Sequence, residues 1–172
     1  FEVYDSLQRQ GTSLTGARVK GIAFFNTGND RFLRVKVGIS PVSTTNAAAN
    51  IQAEIPGWEF NEVLRSANKA WEDELGKLHI ETKDEKLKRT FYTALYHTMI
   101  APSIFNDHNG DYRGTDKKEY PKADFTNLTT FSLWDTYRAA HPLFTITQPE
   151  RVNDMVNTML AIYQQQGKLP VW

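Results

Sequence analysis

The sequence predicts a mixed α and β protein in which a β-rich first third is followed by helices. Three observations predict it. Apolar residues alternate at a period of two before residue 41, they recur at steps of three and four after residue 57, and a Pro-Gly pair at 56–57 separates the two patterns. Hydrophobic residues make up 40% of the 172 positions, which is enough for a packed core. We therefore expect a folded chain with its main internal boundary near Pro56.

The β-rich part runs from Arg18 to Ser40. Apolar side chains at 33, 35, 37 and 39 alternate with Arg34, Lys36 and Gly38, as in a half-buried strand. Residues 19–25 form a second β-rich run, and the intervening Asn- and Gly-containing segment is typical of a hairpin turn. Because two strands alone are marginal in water, this hairpin predicts a larger sheet whose other strands precede residue 1.

Three helices are predicted after Pro56, each with its own end signals. The second begins at a Thr82–Glu85 capping box and ends before Pro102, and the third runs from near Pro149 to Gly167. The first carries apolar residues on one face and is followed by a glycine: Phe60, Val63, Leu64, Ala67, Trp71, Leu75 and Gly76. We expect all three helices to contribute to a core.

The segment from Ala101 to Thr130 is rich in Asn, Asp, Gly and Pro, and loops of this length are usually functional or disordered. Its four aromatic residues favour order. Residues 106–111, Asn-Asp-His-Asn-Gly-Asp, offer the oxygen ligands that Ca²⁺ prefers, but the glycine spacing does not match an EF-hand. A hydrogen-bonded turn is therefore the favoured interpretation of this loop.

The densest group of potential ligand-binding side chains is Phe131–Arg138, which opens a short predicted helix. Trp134 offers an aromatic face for a pyranose ring, and Asp135 offers a carboxylate that accepts from two hydroxyls, which are costly to desolvate without a partner. In a second interpretation Ser132 and Asp135 form a capping box and Trp134 belongs to the core. The residue pattern alone favours this second interpretation.

Several function classes lose support from composition and motif content. Twenty basic and twenty acidic residues cancel, which argues against nucleic-acid binding and against an anionic membrane surface. The chain has no cysteine, no zinc-binding spacing of its four histidines, no nucleophile elbow and no phosphate-binding loop. It also has no apolar stretch long enough to span a bilayer and no leader-like amino terminus.

Three blocks of the sequence cover most of the chain after Arg18. The first comprises residues 34–40, 46–50 and 54–58; the second, 96–103 and 111–114; the third, 130–138, 141–143, 148–151 and 167–172. Together these blocks resemble glycoside hydrolase family 92. Pro41 departs from the family pattern, which places an aromatic residue there.

The resemblance implies an internal piece of a larger two-domain enzyme, with the active site between the domains. Residues 1–56 would be the carboxy-terminal strands of an amino-terminal β-sandwich, 57–80 a helical linker, and 81–172 the first helices of an (α/α)₆ catalytic barrel. The members of this family are calcium-dependent, inverting, exo-acting alpha-mannosidases. The implied reaction is release of terminal mannose from N-glycans or mannans, with alpha-1,2 as the expected linkage.

The resemblance also implies roles for four residues. Trp134 and Asp135 would line the subsite for the terminal mannose, Arg138 would orient Asp135, and Trp172 would contact sugar or belong to the barrel core. The catalytic acid and base and the main calcium ligands would lie outside this chain, so no catalytic and no metal residue is assigned here. The isolated piece is expected to be inactive.

The expected partners are a mannose-containing oligosaccharide and the remainder of the same polypeptide, in the periplasm, at the cell surface or outside the cell. Two alternatives stay open. One is another (α/α)₆ glycosidase with a different sugar preference, and the other is a non-catalytic carbohydrate-binding module in which Trp134 and Asp135 hold sugar without chemistry.

Overall fold

The computed structural model describes residues 2–5, 8–9, 20–22, 24–29 and 32–171. The chain divides into two compact units, residues 1–35 and 36–172. The first contains a small antiparallel sheet, and the second contains all the helices among the described residues. The whole is a mixture of helices and small sheets, as the sequence predicts. No described helix is long and apolar enough to cross a membrane.

The sheet of the first unit has three strands in the order β2-β1-β3. These are β1 (Glu2–Asp5), β2 (Gln8–Arg9) and β3 (Lys20–Ile22), with β1 antiparallel to both neighbours. The predicted second run therefore does contain a strand. Gly28 follows it at a φ of +55°, within the expected turn.

The predicted hairpin with residues 33–39 is wrong, because β3 takes β1 as its partner, with Val3 opposite Gly21. None of the described residues from 32 to 40 belongs to a strand. Alternation alone does not make a strand, since backbone groups must also find a ladder partner. The apolar side chains of this segment are exposed instead, among them Phe32, Leu33, Val35, Val37 and Ile39. Arg18, Val19 and Ala23 lie outside the described residues.

Helix α1 (Thr44–Glu54) was not predicted from the sequence. It begins at Ser43, whose hydroxyl accepts from the Asn46 amide at 3.0 Å, and three consecutive alanines favour its continuation. A Cβ placed on Gly38 would overlap the Ala47 carbonyl oxygen. The glycine therefore lets the preceding segment approach α1 closely.

Helices α2 (Phe60–Leu75) and α3 (Glu85–Thr98) confirm the predicted periodicity, with two differences at their ends. Gly76 caps α2 in a right-handed conformation, with φ −70°. The amino-terminal cap of α3 is Asp84 rather than Thr82: its carboxylate accepts from two helix amides. Trp71 of α2 packs on Tyr96 of α3 at a ring separation of 4.7 Å.

Between α3 and the next helix, the long segment is ordered by two short antiparallel ladders. β4 (Ser103–Ile104) pairs with β7 (Leu128–Thr129), and β5 (Tyr112–Arg113) pairs with β6 (Glu119–Tyr120). The aromatic residues act as predicted, since Tyr112 stacks on Tyr120 at 5.2 Å and meets Phe125 edge-on at 6.0 Å.

The core of the second unit lies among β7, α5 (Ala140–Thr147) and α6 (Pro149–Gln166). Helix α6 ends as predicted at Gly167, whose φ of +76° is the left-handed conformation that glycine adopts without strain. The contribution of α2 is different from the expectation, because no residue of that helix is buried. The buried apolar cluster consists of Leu128, Phe131, Phe144, Met155 and Ile162.

Candidate functional site

A four-residue helix, α4 (Leu133–Thr136), carries the predicted sugar-binding pair on the surface of the second unit. The Ser132 carbonyl accepts from the amides of Asp135 and Thr136, both at 3.1 Å, and this closes the helical turn. Phe131 is buried in the core and Leu133 packs against the same cluster. These two side chains hold the base of α4 to a rigid part of the fold.

Trp134 and Asp135 are both exposed, with Trp134 at 56% of its full accessible area. The prediction that Trp134 belongs to a core is therefore not supported. The exposed indole and the exposed carboxylate next to it are both accessible to a ligand from solvent. The site stands on helix α4, next to the buried cluster, so its base is fixed.

One neighbour among the described residues, Ser132, holds the carboxylate of Asp135. Ser132 Oγ donates to Asp135 Oδ2 at 2.7 Å, whereas the Ser132 side chain makes no capping bond to a backbone amide. The capping-box interpretation is therefore wrong in its main element, because the serine hydroxyl binds the carboxylate instead of the helix end. Among the described residues, Asp135 Oδ1 has no hydrogen-bond partner, and it can accept from a ligand hydroxyl.

Arg138 does not take the role predicted for it. Its Nε donates to the Tyr137 hydroxyl at 2.6 Å, and its guanidinium carbon lies 5.4 Å from the centroid of the Tyr137 ring. Stacking on an aromatic ring is a common guanidinium arrangement. Among the described residues, Ser132 therefore orients Asp135, and Arg138 does not. Trp172, the fourth predicted residue, lies outside the described residues.

One titratable ring lies close to the base of α4. His141 is parallel to Phe131 at 6.2 Å and edge-on to Phe144 at 5.6 Å. Burial lowers the pKa of His141, because an apolar environment disfavours the imidazolium. The ring is therefore neutral at pH 7 and acts as a packing group beside the site.

A second polar group, missed by the sequence analysis, joins α1 to the 106–111 loop. We call it the Asp107 cluster: Ser40, Asn46, Asn50, Asp107 and Asp111. Asp107 is only 4% exposed and accepts from Ser40 Oγ at 2.6 Å and from the amides of Asn46 and Asn50, both at 2.8 Å. Its oxygens are thus occupied by neutral donors within the protein.

The loop itself is the hydrogen-bonded turn that the sequence predicts. The Asp107 amide donates to the Asp111 carbonyl at 2.8 Å, and Gly110 supplies a φ of +88°. Hydrogen bonds from Asn46, the Lys122 amide and Asn109 lower the pKa of Asp111, with the Asn46 bond contributing most. Among the described residues, no group of three or more His, Asp or Glu could hold a metal ion.

Two cavities lie beside the Asp107 cluster rather than beside α4. The first, about 760 Å³, is lined by Gly38, Ile39, Asn50, Ile51 and Phe105, among others. The second, about 510 Å³, includes Asp107, His108 and Phe125 in its lining. Neither includes Trp134 or Asp135, so the indole and the carboxylate are presented on an exposed surface and not inside either cavity.

Solved structures of similar proteins match most of the chain. A family GH92 alpha-mannosidase from Bacteroides thetaiotaomicron is 47% identical over 77% of this chain, with a TM-score of 0.73. Its complex with mannoimidazole gives 46% identity and a TM-score of 0.72. A family GH92 inverting mannosidase from Bacteroides thetaiotaomicron VPI-5482 is 29% identical, with 77% coverage and a TM-score of 0.72. The chain spans 18% of the length of each of these proteins.

Sequence comparisons agree with the structural ones. An uncharacterized secreted glycosidase from Arthroderma benhamiae is 31% identical over 107 residues, which are 60% of this chain and 13% of that protein. The family model for the glycosyl hydrolase family 92 catalytic domain matches residues 46–172, well over half of the chain. The chain therefore belongs to glycoside hydrolase family 92.

Proposed function

We propose that this chain is part of a longer exo-acting alpha-mannosidase and that α4 contributes to the subsite for the terminal mannose. The observation that carries the proposal is the arrangement of Trp134 and Asp135. An exposed indole stands next to an exposed carboxylate with one oxygen open, inside the region matched by the family model. The mannoimidazole complex of a 46% identical relative supports a mannose-type ligand.

In the proposed site the indole covers the C–H face of the sugar and Asp135 accepts from its hydroxyls. A carboxylate suits this task because each buried sugar hydroxyl loses water and needs a new acceptor. The protein groups that surround the rest of the sugar belong, in this proposal, to the longer polypeptide. That longer polypeptide is the intact enzyme.

The finer features of the reaction are also proposals. We propose inversion at the anomeric carbon, in which an acid protonates the leaving oxygen and a base activates water on the opposite face of the ring. Both groups lie outside residues 1–172 in this proposal. One solved relative is described as an inverting mannosidase, which supports the mechanism. The preferred linkage is alpha-1,2, in N-glycans or mannans.

We further propose that the intact enzyme uses calcium to engage mannose hydroxyls and that the main ligands of the ion lie outside this chain. The Asp107 cluster is not proposed to hold the ion, because neutral protein donors already occupy the Asp107 oxygens. The domain division at 56–57 and 80–81, with an (α/α)₆ barrel beginning at residue 81, belongs to the same proposal. So does a location in the periplasm, at the cell surface or outside the cell, which the secreted relative supports.

The proposal is tested by release of mannose from an alpha-1,2-linked mannobiose. The intact enzyme should release mannose, and residues 1–172 alone should not, because the acid and base are placed elsewhere. Turnover by residues 1–172 at the rate of the intact enzyme would overturn the assignment of those groups. Failure of the intact enzyme on every alpha-mannoside, with cleavage of another glycoside, would favour a different sugar preference.

A non-catalytic carbohydrate-binding module is the second candidate, since the same exposed pair can hold sugar without reaction. It predicts that the longest natural form of the protein binds mannose without hydrolysing any glycoside. Loss of that binding in an Asp135→Ala variant would then place the sugar at α4.

A further inference from the structure

Among the described residues, the hydroxyl of Ser132 has one acceptor, the carboxylate of Asp135. The distance from Ser132 Oγ to Asp135 Oδ2 is 2.7 Å, close to the range for a hydroxyl that donates to a carboxylate. The two residues are three apart on one turn, so the bond spans the start of α4. A bond across one helical turn restricts the torsion angles of the aspartate side chain.

The Ser132 hydroxyl does not cap helix α4. Residues at this position usually accept a bond from a backbone amide, but the Ser132 side chain makes no such bond. The turn is closed by the backbone instead, through the Ser132 carbonyl and the amides of Asp135 and Thr136. Loss of the Ser132 hydroxyl should therefore affect the orientation of the Asp135 carboxylate more than the stability of helix α4.

The basic residue nearest in sequence does not compete for the carboxylate. Arg138 Nε donates to Tyr137 at 2.6 Å, and the guanidinium lies over the same ring. Within the described part of the chain, Ser132 is thus the side chain that fixes Asp135 Oδ2. Asp135 Oδ1 points to no protein donor among those residues.

We propose that Ser132 is a positioning residue for sugar binding. Its hydroxyl holds Asp135 Oδ2, and this directs Oδ1 toward a hydroxyl of the terminal sugar. The inference rests on the proposed function, because it assumes that Asp135 contacts the sugar. A carboxylate that is already held in one rotamer binds its ligand more tightly than a mobile one. The mobile side chain loses conformational entropy when the ligand binds.

The test is a double-mutant cycle in the intact enzyme, with kcat/KM for mannobiose hydrolysis as the readout. Ser132→Ala should lower kcat/KM by about tenfold, as expected for loss of one charge-assisted hydrogen bond. In an Asp135→Asn background the same substitution should have an effect of less than about twofold, because the two residues act as a unit. Additive losses would overturn the inference.

Two further variants separate positioning from a general structural role. Ser132→Thr keeps the hydroxyl and should retain kcat/KM within about threefold, whereas a loss as large as that of Ser132→Ala would contradict the inference. Ser103→Ala is the matched control: its hydroxyl donates to the Ile100 carbonyl at 3.1 Å in an exposed position. That control should leave kcat/KM unchanged.

The inference and the proposed function fail in different ways. If the unsubstituted enzyme releases mannose and Ser132→Ala has the same kcat/KM, the inference is wrong and the proposed function stands. If the unsubstituted enzyme releases no mannose, both are wrong.

Discussion

Two serine–aspartate pairs in the second unit have nearly the same hydrogen bond and different surroundings. Ser40 Oγ donates to Asp107 at 2.6 Å, and Ser132 Oγ donates to Asp135 at 2.7 Å. Asp107 is buried and also accepts from two asparagine amides. Asp135 is exposed and has the serine as its only hydrogen-bond partner among the described residues.

The difference shows how to separate a structural carboxylate from one available to a ligand. A buried carboxylate is tolerated when protein donors occupy its oxygens, and Asp107 meets that condition. An exposed carboxylate that is oriented but not saturated can still accept from a ligand, and Asp135 is in that state. Substitutions at four residues, Asp135, Asp107, Trp134 and Asp111, would break or sharpen this comparison.

Asp135→Asn should have the largest effect. In the intact enzyme we expect kcat/KM for mannobiose to fall by about 100-fold, because hydrogen bonds to a charged group contribute about 1.5–3 kcal/mol. The midpoint of thermal unfolding should stay within about 2 °C, since the side chain is exposed. Unchanged kinetics, or a large drop in the unfolding midpoint, would place Asp135 with the structural carboxylates.

Asp107→Asn should show the reverse pattern. Either orientation of the new amide places its NH2 group against a donor, the Asn50 amide at the Oδ1 position or the Asn46 amide at the Oδ2 position. Asn50 cannot turn to accept, because its amide nitrogen also donates to the Ile39 carbonyl and its oxygen accepts from the His108 amide. We expect the free energy of unfolding to fall by about 1–3 kcal/mol.

Urea unfolding of the intact enzyme measures this loss, with Asp124→Asn, at an exposed carboxylate, as the control. Equal stability of the two variants would show that the Asp107 cluster contributes little. A selective loss of sugar affinity in a fully stable Asp107→Asn enzyme would remove the distinction between the two pairs.

Trp134→Ala should weaken sugar binding by about tenfold through loss of the ring face, an effect near the upper range for one aromatic contact. Trp134→Phe keeps a smaller face and should lose about half of that free energy. The dissociation constant for mannoimidazole measures both. Identical affinity in the alanine variant would contradict the role given to the exposed indole.

Asp111→Asn should have the smallest effect: a small loss of stability above about pH 4 and a weaker dependence of stability on pH in acid. Hydrogen bonds, chiefly from Asn46, lower the pKa of Asp111, so its stabilising contribution is present above the unfolded-state pKa of about 4. That contribution is lost as the pH falls through the lower, folded-state pKa. Urea unfolding between about pH 4 and pH 2 should therefore depend less on pH in the variant. An unchanged pH dependence would contradict the assignment.

The helices were predictable where the apolar spacing was regular. α2, α3 and α6 each carry an apolar stripe at steps of three and four, and the capping, Gly and Pro residues beside the stripes predicted the helix ends to within a few residues. α1 lacks such a stripe, because most of its sequence, TTNAAANIQAE, is small or polar. The strand predicted at 33–39 failed because a period of two gives the side-chain pattern and not the hydrogen-bonding partner.

The two aspartate environments were predictable to different extents. The pairing of Trp134 with Asp135 is local, so the sequence could place both on one short helix. Whether Ser132 binds the helix end or the carboxylate depends on one side-chain rotamer, which a sequence motif does not determine. The Asn46–Asp107 bond joins residues 61 positions apart, and a single sequence carries no signal for such a contact.

The central claim is that Asp135, and not Asp107, contacts the terminal sugar. Calorimetric titration of the intact enzyme with mannoimidazole tests it most directly, with Asp135→Asn and a folded Asp107→Asn measured side by side. We expect the dissociation constant to rise by about 50-fold or more for Asp135→Asn and by less than about twofold for Asp107→Asn. Equal affinities for the unsubstituted and Asp135→Asn enzymes would contradict the claim.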